Sequence, residues 1–371
     1  MRVAIDLSWL PPRPAGAARY ALELLDGLSS LPDDGVRFVV FSPPGALDRS
    51  AARADQRFVI DEGLPRSRAA RIGWEQAVLP LRLRKDRPDV LHVPHSQAPL
   101  LTSGVPVVVT FHDVTYEIFG ERYPWLRRTY YRAAARIARQ KAGLAIAVSE
   151  CVAGDLVQRL GLERPGIRVI PEAAGRRFTP ATRAQIEDVR RRYALGRRYV
   201  LSVGSIEPGK GRESLSAAMR ALRADGFEHD LVVAGQTAWG VEARPDGARY
   251  LGYVPDEDLP ALYSGCDVFA FPSLYEGFGL PLLEAMACGA PVVATSSSAI
   301  PEVAGDAALL VTPGSPPSLA DGLRQVLEDE EARRGMIERG LSRAACFSWR
   351  ETATKTLEVY REAARSSRGR G

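Results

Sequence analysis

Pro272-Ser273-Leu274-Tyr275-Glu276-Gly277-Phe278-Gly279-Leu280-Pro281-Leu282-Leu283-Glu284-Ala285-Met286-Ala287-Cys288-Gly289-Ala290-Pro291-Val292-Val293-Ala294 reads as an apolar strand end, a glycine loop, a short helix and a second buried strand. The strand before it is Val268-Phe269-Ala270-Phe271, and Gly289, with Pro291 just beyond, supplies the helix stop. Two carboxylates are fixed on this unit, Glu276 in the loop and Glu284 on the helix, with seven residues between them. At a helical rise their backbones lie up to about 12 Å apart. A carboxylate accepts two hydrogen bonds from neighbouring hydroxyls, and the amides of Gly277, Phe278 and Gly279 at the helix start suit anionic or hydroxyl oxygens. Taken singly, each glutamate is an ordinary solvent-facing helix former. Glycines flanking Phe278, where a backbone must come close to something, and the apolar run around each acid weigh against that reading.

Outward from this stretch, apolar runs alternate with helical ones. The runs are Val3–Ile5, Arg37–Phe41, Val90–Val93, Val105–Thr110 and Leu144–Val148, then Val200–Val203, Leu231–Ala234, Val268–Phe271, Val292–Ala294 and Ala308–Val311. Short apolar runs separated by helices predict parallel strands covered on both faces, and two such series predict two doubly wound α/β domains. The break falls near Pro171–Arg183, giving domains at 1–175 and 176–345, with a last segment at 346–371. Helices are expected at Ala21–Leu28, Ile186–Tyr193 and Leu259–Ser264, and the tail Ser366–Gly371 is expected to fray.

The chain has 371 residues and an ordinary globular composition, enough for two cores. It opens directly in a strand pattern, without a secretion leader, and no apolar run approaches a membrane span. Its four cysteines are far apart, which suggests neither a disulfide framework nor a zinc cluster, and the cytoplasm is the expected compartment. Residues 1–180 hold 26 Lys/Arg against 19 Asp/Glu, and the remainder 23 against 26. Only four of the 49 basic residues are lysine, so arginine is the default cation and its abundance does not indicate nucleic acid; no zinc-finger, helix-turn-helix or aromatic-basic stacking pattern is present.

In open parallel sheets ligands sit beyond the carboxyl ends of the strands. Gly16 follows the first strand and either makes a plain turn or lets amides approach a pyrophosphate. His92, His95 and His112 end two adjacent strands, with Asp113 beside the last. Lone strand-end histidines are usually just hydrogen-bonded, and a zinc site lacks further ligands at suitable spacing. Val203-Gly204-Ser205-Ile206-Glu207-Pro208-Gly209-Lys210-Gly211 precedes a helix and suits a diphosphate, with Lys210 as the cation. Asp256-Glu257-Asp258 fits a helix cap and dipole better than a metal site. Arg122-Tyr123-Pro124-Trp125-Leu126-Arg127-Arg128-Thr129-Tyr130-Tyr131-Arg132 fits a phosphate-bearing or membrane-associated acceptor, or a solvated basic helix whose aromatics pack inward.

The Glu276 to Glu284 stretch resembles the EX7E motif of retaining GT-B glycosyltransferases, most closely glycosyltransferase family 4. Gly16, Arg19 and Tyr20 match the family's first loop, where Ala18 replaces a glycine; His112-Asp113 resembles its acceptor-side pair. The Thr295-Ser296-Ser297-Ser298-Ala299-Ile300-Pro301-Glu302-Val303-Ala304-Gly305 loop, and Phe347-Ser348-Trp349-Arg350 with the helix that follows through about Ala364, match as well. Many relatives carry an arginine at the position of Ser205 or Gly209; both are absent here, and Arg212 is the candidate stand-in.

The resemblance implies a GT-B fold, two Rossmann-like domains facing across a cleft, with the last helix crossing back to the first. It implies retaining transfer of a hexose, such as mannose or glucose, from a UDP- or GDP-sugar. The acceptor is a glycan, a lipid-linked species or a small molecule. Neither metal nor cofactor is expected. His112, Lys210 and Glu276 would act at the reacting centre. Gly16, Ser205, Lys210, Arg212, Val254, Glu276, Gly277, Phe278, Gly279, Leu280 and Glu284 would bind the donor; His95, His112, Asp113, Arg127 and Arg128 would serve the acceptor. A peripheral contact with the inner membrane face fits the basic stretch. The rival readings are a sugar-nucleotide epimerase or hydrolase of the same fold and a non-catalytic binding subunit.

Overall fold

A computed structural model describes residues 1–12, 14–48, 50–65, 67–96, 98–122, 125–207, 209–236 and 247–368. The chain forms two compact units, Met1–Glu172 with Ser348–Gly371, and Ala173–Phe347.

The first unit holds β1 (Arg2–Asp6), β2 (Arg37–Phe41), β3 (Phe58–Asp61), β4 (Val90–Val93), β5 (Val107–Phe111), β6 (Ala142–Ala147) and β7 (Ile167–Val169). They lie in the order β3-β2-β1-β4-β5-β6-β7, all parallel. Every residue of β4 and β5 is buried, as continuous apolar runs require. Strands β3 and β7 lie at the edges, and β3 was not among the expected runs. Val59 of β3 is 58% exposed, as an edge strand allows, and its apolar stretch is only Phe58-Val59-Ile60.

The first helix spans Ala17–Ser29, starting four residues before the expected Ala21, because Gly16 (φ 52) caps it directly. The last helix, Trp349–Arg368, belongs to the first unit and continues through Ser366, beyond the expected Ala364 and into the expected frayed tail. It packs so closely on the first helix that a Cβ on Gly27 would lie 2.6 Å from the Trp349 carbonyl oxygen. Thr352 Oγ1 donates to Pro171 O at 2.7 Å, and Arg168 pairs with Glu362. Tyr360 OH lies 2.7 Å from His92 Nδ1, whose Nε2 lies 2.8 Å from Thr110 Oγ1.

The second unit holds β8 (Tyr199–Val203), β9 (Asp230–Ala234), β10 (Ala248–Gly252), β11 (Val268–Phe271), β12 (Val292–Thr295) and β13 (Ala308–Val311). Their order is β10-β9-β8-β11-β12-β13, again parallel. Edge strand β10 is the one not anticipated; none of its residues is fully buried. Val200, Leu215, Met219, Leu222, Val268, Val293 and Leu323 form the centre of a core between sheet and helices. Each such side chain contributes about 1.5–3 kcal/mol on burial. The strand order reverses between β8 and β11, where Val268 registers with Val200 and Phe269 with Leu201. The chain leaves both strands there in loops, the crevice where open α/β sheets take ligands.

Candidate active site

Both loops at this reversal are held by glycines. Gly211 (φ 64) caps the Arg212–Ala224 helix, and a Cβ on it would sit 2.0 Å from the Pro272 carbonyl oxygen; on Gly235 (φ 147) it would sit 1.9 Å from Gly204 O. Only glycine permits these approaches. Leu274 N donates to Gly209 O at 2.8 Å, tying the loops together.

Across this junction Lys210 Nζ donates to Glu276 Oε1 at 2.8 Å and lies 3.8 Å from Glu207 Oε1. The two residues expected to meet diphosphate and sugar are thus neighbours. Arg212 begins the helix and is 7% exposed; Nη2 donates to Gly204 O at 3.0 Å, whereas Nε and Nη1 are buried without a partner. Burial draws its guanidinium down to about 10, with Tyr250 and Glu276 acting against that shift, so it stays charged at neutral pH. A buried cation with two undirected N–H groups at a helix N-terminus is arranged to receive an anion.

The loop after β12 fixes the backbone of Glu276. Its N–H donates to Ser298 Oγ at 2.8 Å, and its carbonyl accepts from Ala299 N at 3.4 Å. Ser298 has φ 50, one of four non-glycine residues with positive φ among those described. Ser297 Oγ donates to Ser273 O at 3.0 Å, and Thr295 Oγ1 donates to the same carbonyl. The sequence marked this loop but not Ser298; the signal, a serine held left-handed, exists only in the backbone.

Gly279 (φ 100) caps the Leu280–Ala287 helix. Glu284, on that helix, is 1% exposed, and its Oε2 accepts from Tyr263 OH at 3.1 Å. Phe278 is buried edge-on against Phe347, ring centroids 5.8 Å apart. Leu280 and Val254 are buried, while Ser205 is half-buried. Asp258 stands at the N-cap of the Leu259–Gly265 helix, as expected, but its side chain makes no capping hydrogen bond. Its carboxylate instead accepts from Arg192 and, at 2.7 Å, from Tyr193 OH, stronger partners that draw it away from the helix amides.

In the first unit, Gly16 stands in open space. His112 Nδ1 lies 2.9 Å from Glu172 Oε1, and Nε2 lies 3.1 Å from Pro94 O. Glu172, absent from the candidates above, is 60 residues away in sequence, and no spacing rule links them. Burial works to lower the His112 pKa, but the hydrogen bond and charge of Glu172, the Pro94 carbonyl and Asp113 together raise it. His92 goes the other way: burial first, then His112 and His95, lower it to about 3. His95 packs against Trp9, with ring centroids 4.4 Å apart and planes tilted by 57°. Asp113 Oδ1 accepts from Thr115 N at 3.0 Å and Thr115 Oγ1 at 2.7 Å, shaping the turn into the next helix.

Tyr123, Pro124 and Pro208, and the side chains of Arg122 and Arg127, lie outside the described residues. Arg128 folds over Gly120, where a Cβ would meet its Cζ at 2.3 Å, so it is not a freely solvated cation. Trp125 and Tyr130 are 76% and 41% exposed, so these aromatics do not pack inward. Among the described residues no group of three or more His, Cys, Asp or Glu could hold a metal ion, and no helix is long and apolar enough to cross a membrane.

A protein-family model described as Glycosyltransferase Family 4 matches residues 14–173, and one described as Glycosyl transferases group 1 matches residues 185–343. The O-antigen chain mannosyltransferase B of Escherichia coli is 33% identical over 265 residues, covering 68% of this chain and 70% of that protein. The serotype-specific mannosyltransferase WbdA of Escherichia coli is 28% identical over 333 residues, covering 81% of this chain; the chain spans 40% of that protein's length. The crystal structure of Anabaena Alr3699/HepE in complex with UDP and glucose is similar in fold, with a TM-score of 0.74 at 19% identity, covering 98% of this chain and 100% of that one.

Proposed function

We propose, since this chain belongs to glycosyltransferase family 4, that it moves a hexose, mannose first among the candidates, from a nucleoside diphosphate to an acceptor hydroxyl with retention at the anomeric carbon. The observation that carries this reading is the Lys210–Glu276 pair at the sheet's reversal point, with the unpartnered N–H groups of Arg212 beside it.

Breaking the sugar–phosphate bond develops positive charge at the anomeric carbon and negative charge on the departing diphosphate. Lys210, Arg212 and the N-terminus of the Arg212–Ala224 helix offset the latter, charge placed in advance of the reaction. Glu276 orients sugar hydroxyls and Glu284 the ribose, Tyr263 fixing the second carboxylate. Attack on the face the diphosphate leaves, with a phosphate oxygen taking the acceptor's proton, requires no protein nucleophile. Mannosyl transfer is the activity named for the relative that is one-third identical over 265 residues. A metal-independent reaction in the cytoplasm on a glycan or lipid-linked acceptor completes the proposal.

Incubation with labelled UDP- and GDP-hexoses, following diphosphate release and acceptor labelling separately, tests it. Transfer to an acceptor supports the reading. Diphosphate release without acceptor labelling favours a hydrolase, isomerised sugar nucleotide an epimerase, and binding without turnover a binding subunit.

A further inference from the structure

The two ring nitrogens of His112 each face an oxygen that accepts: the Glu172 carboxylate at 2.9 Å from Nδ1 and the Pro94 carbonyl at 3.1 Å from Nε2. A carbonyl and an ionised carboxylate cannot donate, so beside an ionised Glu172 both nitrogens carry protons. The other arrangement, a neutral ring accepting from a protonated Glu172, forgoes the charge-assisted hydrogen bond between the two groups. His92, in the same cluster, provides the contrast. Its partners are the Thr110 and Tyr360 hydroxyls, which can donate as readily as accept, and it remains a neutral ring.

We infer that Glu172 is a positioning residue that holds His112 as an imidazolium, so that this histidine serves glycosyl transfer as a fixed cation and takes no proton from the acceptor. This rests on the reading of His112 as part of the reacting centre. The groups facing its ring are Glu172 after β7, Tyr20 from the first helix at 4.7 Å between ring centroids, His92 on β4 and Asp113 at its own strand end, while His95, just beyond β4, acts on His92. Tyr360, from the last helix, reaches this cluster through His92. With Nδ1 and Nε2 both committed, the histidine offers charge and the carbon edge of its ring. Glu172 is 4% exposed, so its carboxylate is poorly screened by water.

The chain has four histidines, so subtracting the spectrum of His112→Gln from that of the ¹⁵N-histidine-labelled protein assigns this ring. Both of its nitrogens are expected to stay protonated at about pH 7.5, a unit above the ordinary imidazole value. In Glu172→Gln burial is opposed only by the Pro94 carbonyl and Asp113, and the ring is expected to be neutral at that pH. A neutral wild-type ring, or a ring still charged in Glu172→Gln, overturns the inference. If Glu172→Gln does not fold, Glu172→Asp is expected to lower the ring's titration midpoint, and an unchanged midpoint overturns the inference equally. In turnover, Glu172→Gln is expected to approach wild-type kcat near pH 5.5 and to lose about tenfold by pH 8, while the wild type stays flat. A loss independent of pH would mark Glu172 as merely structural and overturn the inference. Absence of transfer with every donor would instead defeat the functional reading, and the nitrogen spectra would still decide the charge of His112.

Discussion

Lys210 Nζ lies 2.8 Å from Glu276 Oε1, a pair that joins the loop after β8 to the loop after β11 over 66 residues of sequence. Each partner holds the other in place, so removing either also displaces the one that remains. Lys210→Met is expected to lower kcat/KM by about 10²–10³, as for loss of a charge-stabilising donor. The double variant with Glu276→Gln should lose less than the product of the two single losses. Initial rates over a donor concentration series check this, and fully multiplicative losses would show that the pair does not act as a unit.

Glu284 is buried with Tyr263 OH on one carboxylate oxygen. Glu284→Gln should weaken nucleotide-sugar binding by about 1.5–3 kcal/mol, the range for a hydrogen bond to a charged group, and Tyr263→Phe by about 0.5–1.5 kcal/mol. Calorimetry of donor binding distinguishes the two; unchanged affinity in a folded Glu284→Gln protein removes Glu284 from the donor site.

Ser298 combines a left-handed backbone with a hydrogen bond to the Glu276 amide. Ser298→Ala keeps the strain and loses the bond, while Ser298→Gly loses the bond but relieves about 1–2 kcal/mol of strain. The glycine variant should therefore melt near the wild type and yet turn over more slowly. Melting temperature and kcat, measured together, separate a stabilising role from a positioning one.

Glu75 is pushed up to about 8, first by burial and then by the charge of Asp6, whose Oδ2 is buried without a partner. A raised carboxyl pKa means that the folded chain keeps a proton the unfolded chain releases, so stability is lost as pH rises from the ordinary carboxylate value toward 8. Glu75→Gln removes that titration. It should match the wild type near pH 4.5 and exceed it by about 2–4 kcal/mol at pH 8, one unit being worth about 1.4 kcal/mol. Denaturant melts across this range provide the check; parallel curves would mean that Glu75 ionises normally.

The central strands were legible because burial on both faces leaves an unbroken apolar run, as in Val90–Val93 and Val268–Phe271. Edge strand β10 carries polar and partly exposed residues and gives no such run. Lys210 and Glu276 could be singled out because each stands just after a strand, but their direct pairing depends on how the loops fold. The pairing of His112 with Glu172 was hidden for the same reason, as were Arg192 and Tyr193, the distant partners that take the Asp258 carboxylate from the helix it precedes. Sequence spacing exposes periodic and local features; hydrogen bonds between distant loops have no period.

The first unit is encoded in two pieces, with residues 173–347 lying between them. On a ribosome those intervening residues take on the order of ten seconds to emerge. Throughout that delay the nascent first unit lacks its final helix, leaving the Gly27 surface and the His92 ring without the Trp349 and Tyr360 contacts that later cover them. The second unit, encoded without interruption, can be complete before the first. Lesions in the Trp349–Arg368 helix should therefore appear mainly as poor soluble yield and chaperone dependence, with the molecules that do mature retaining near-normal specific activity.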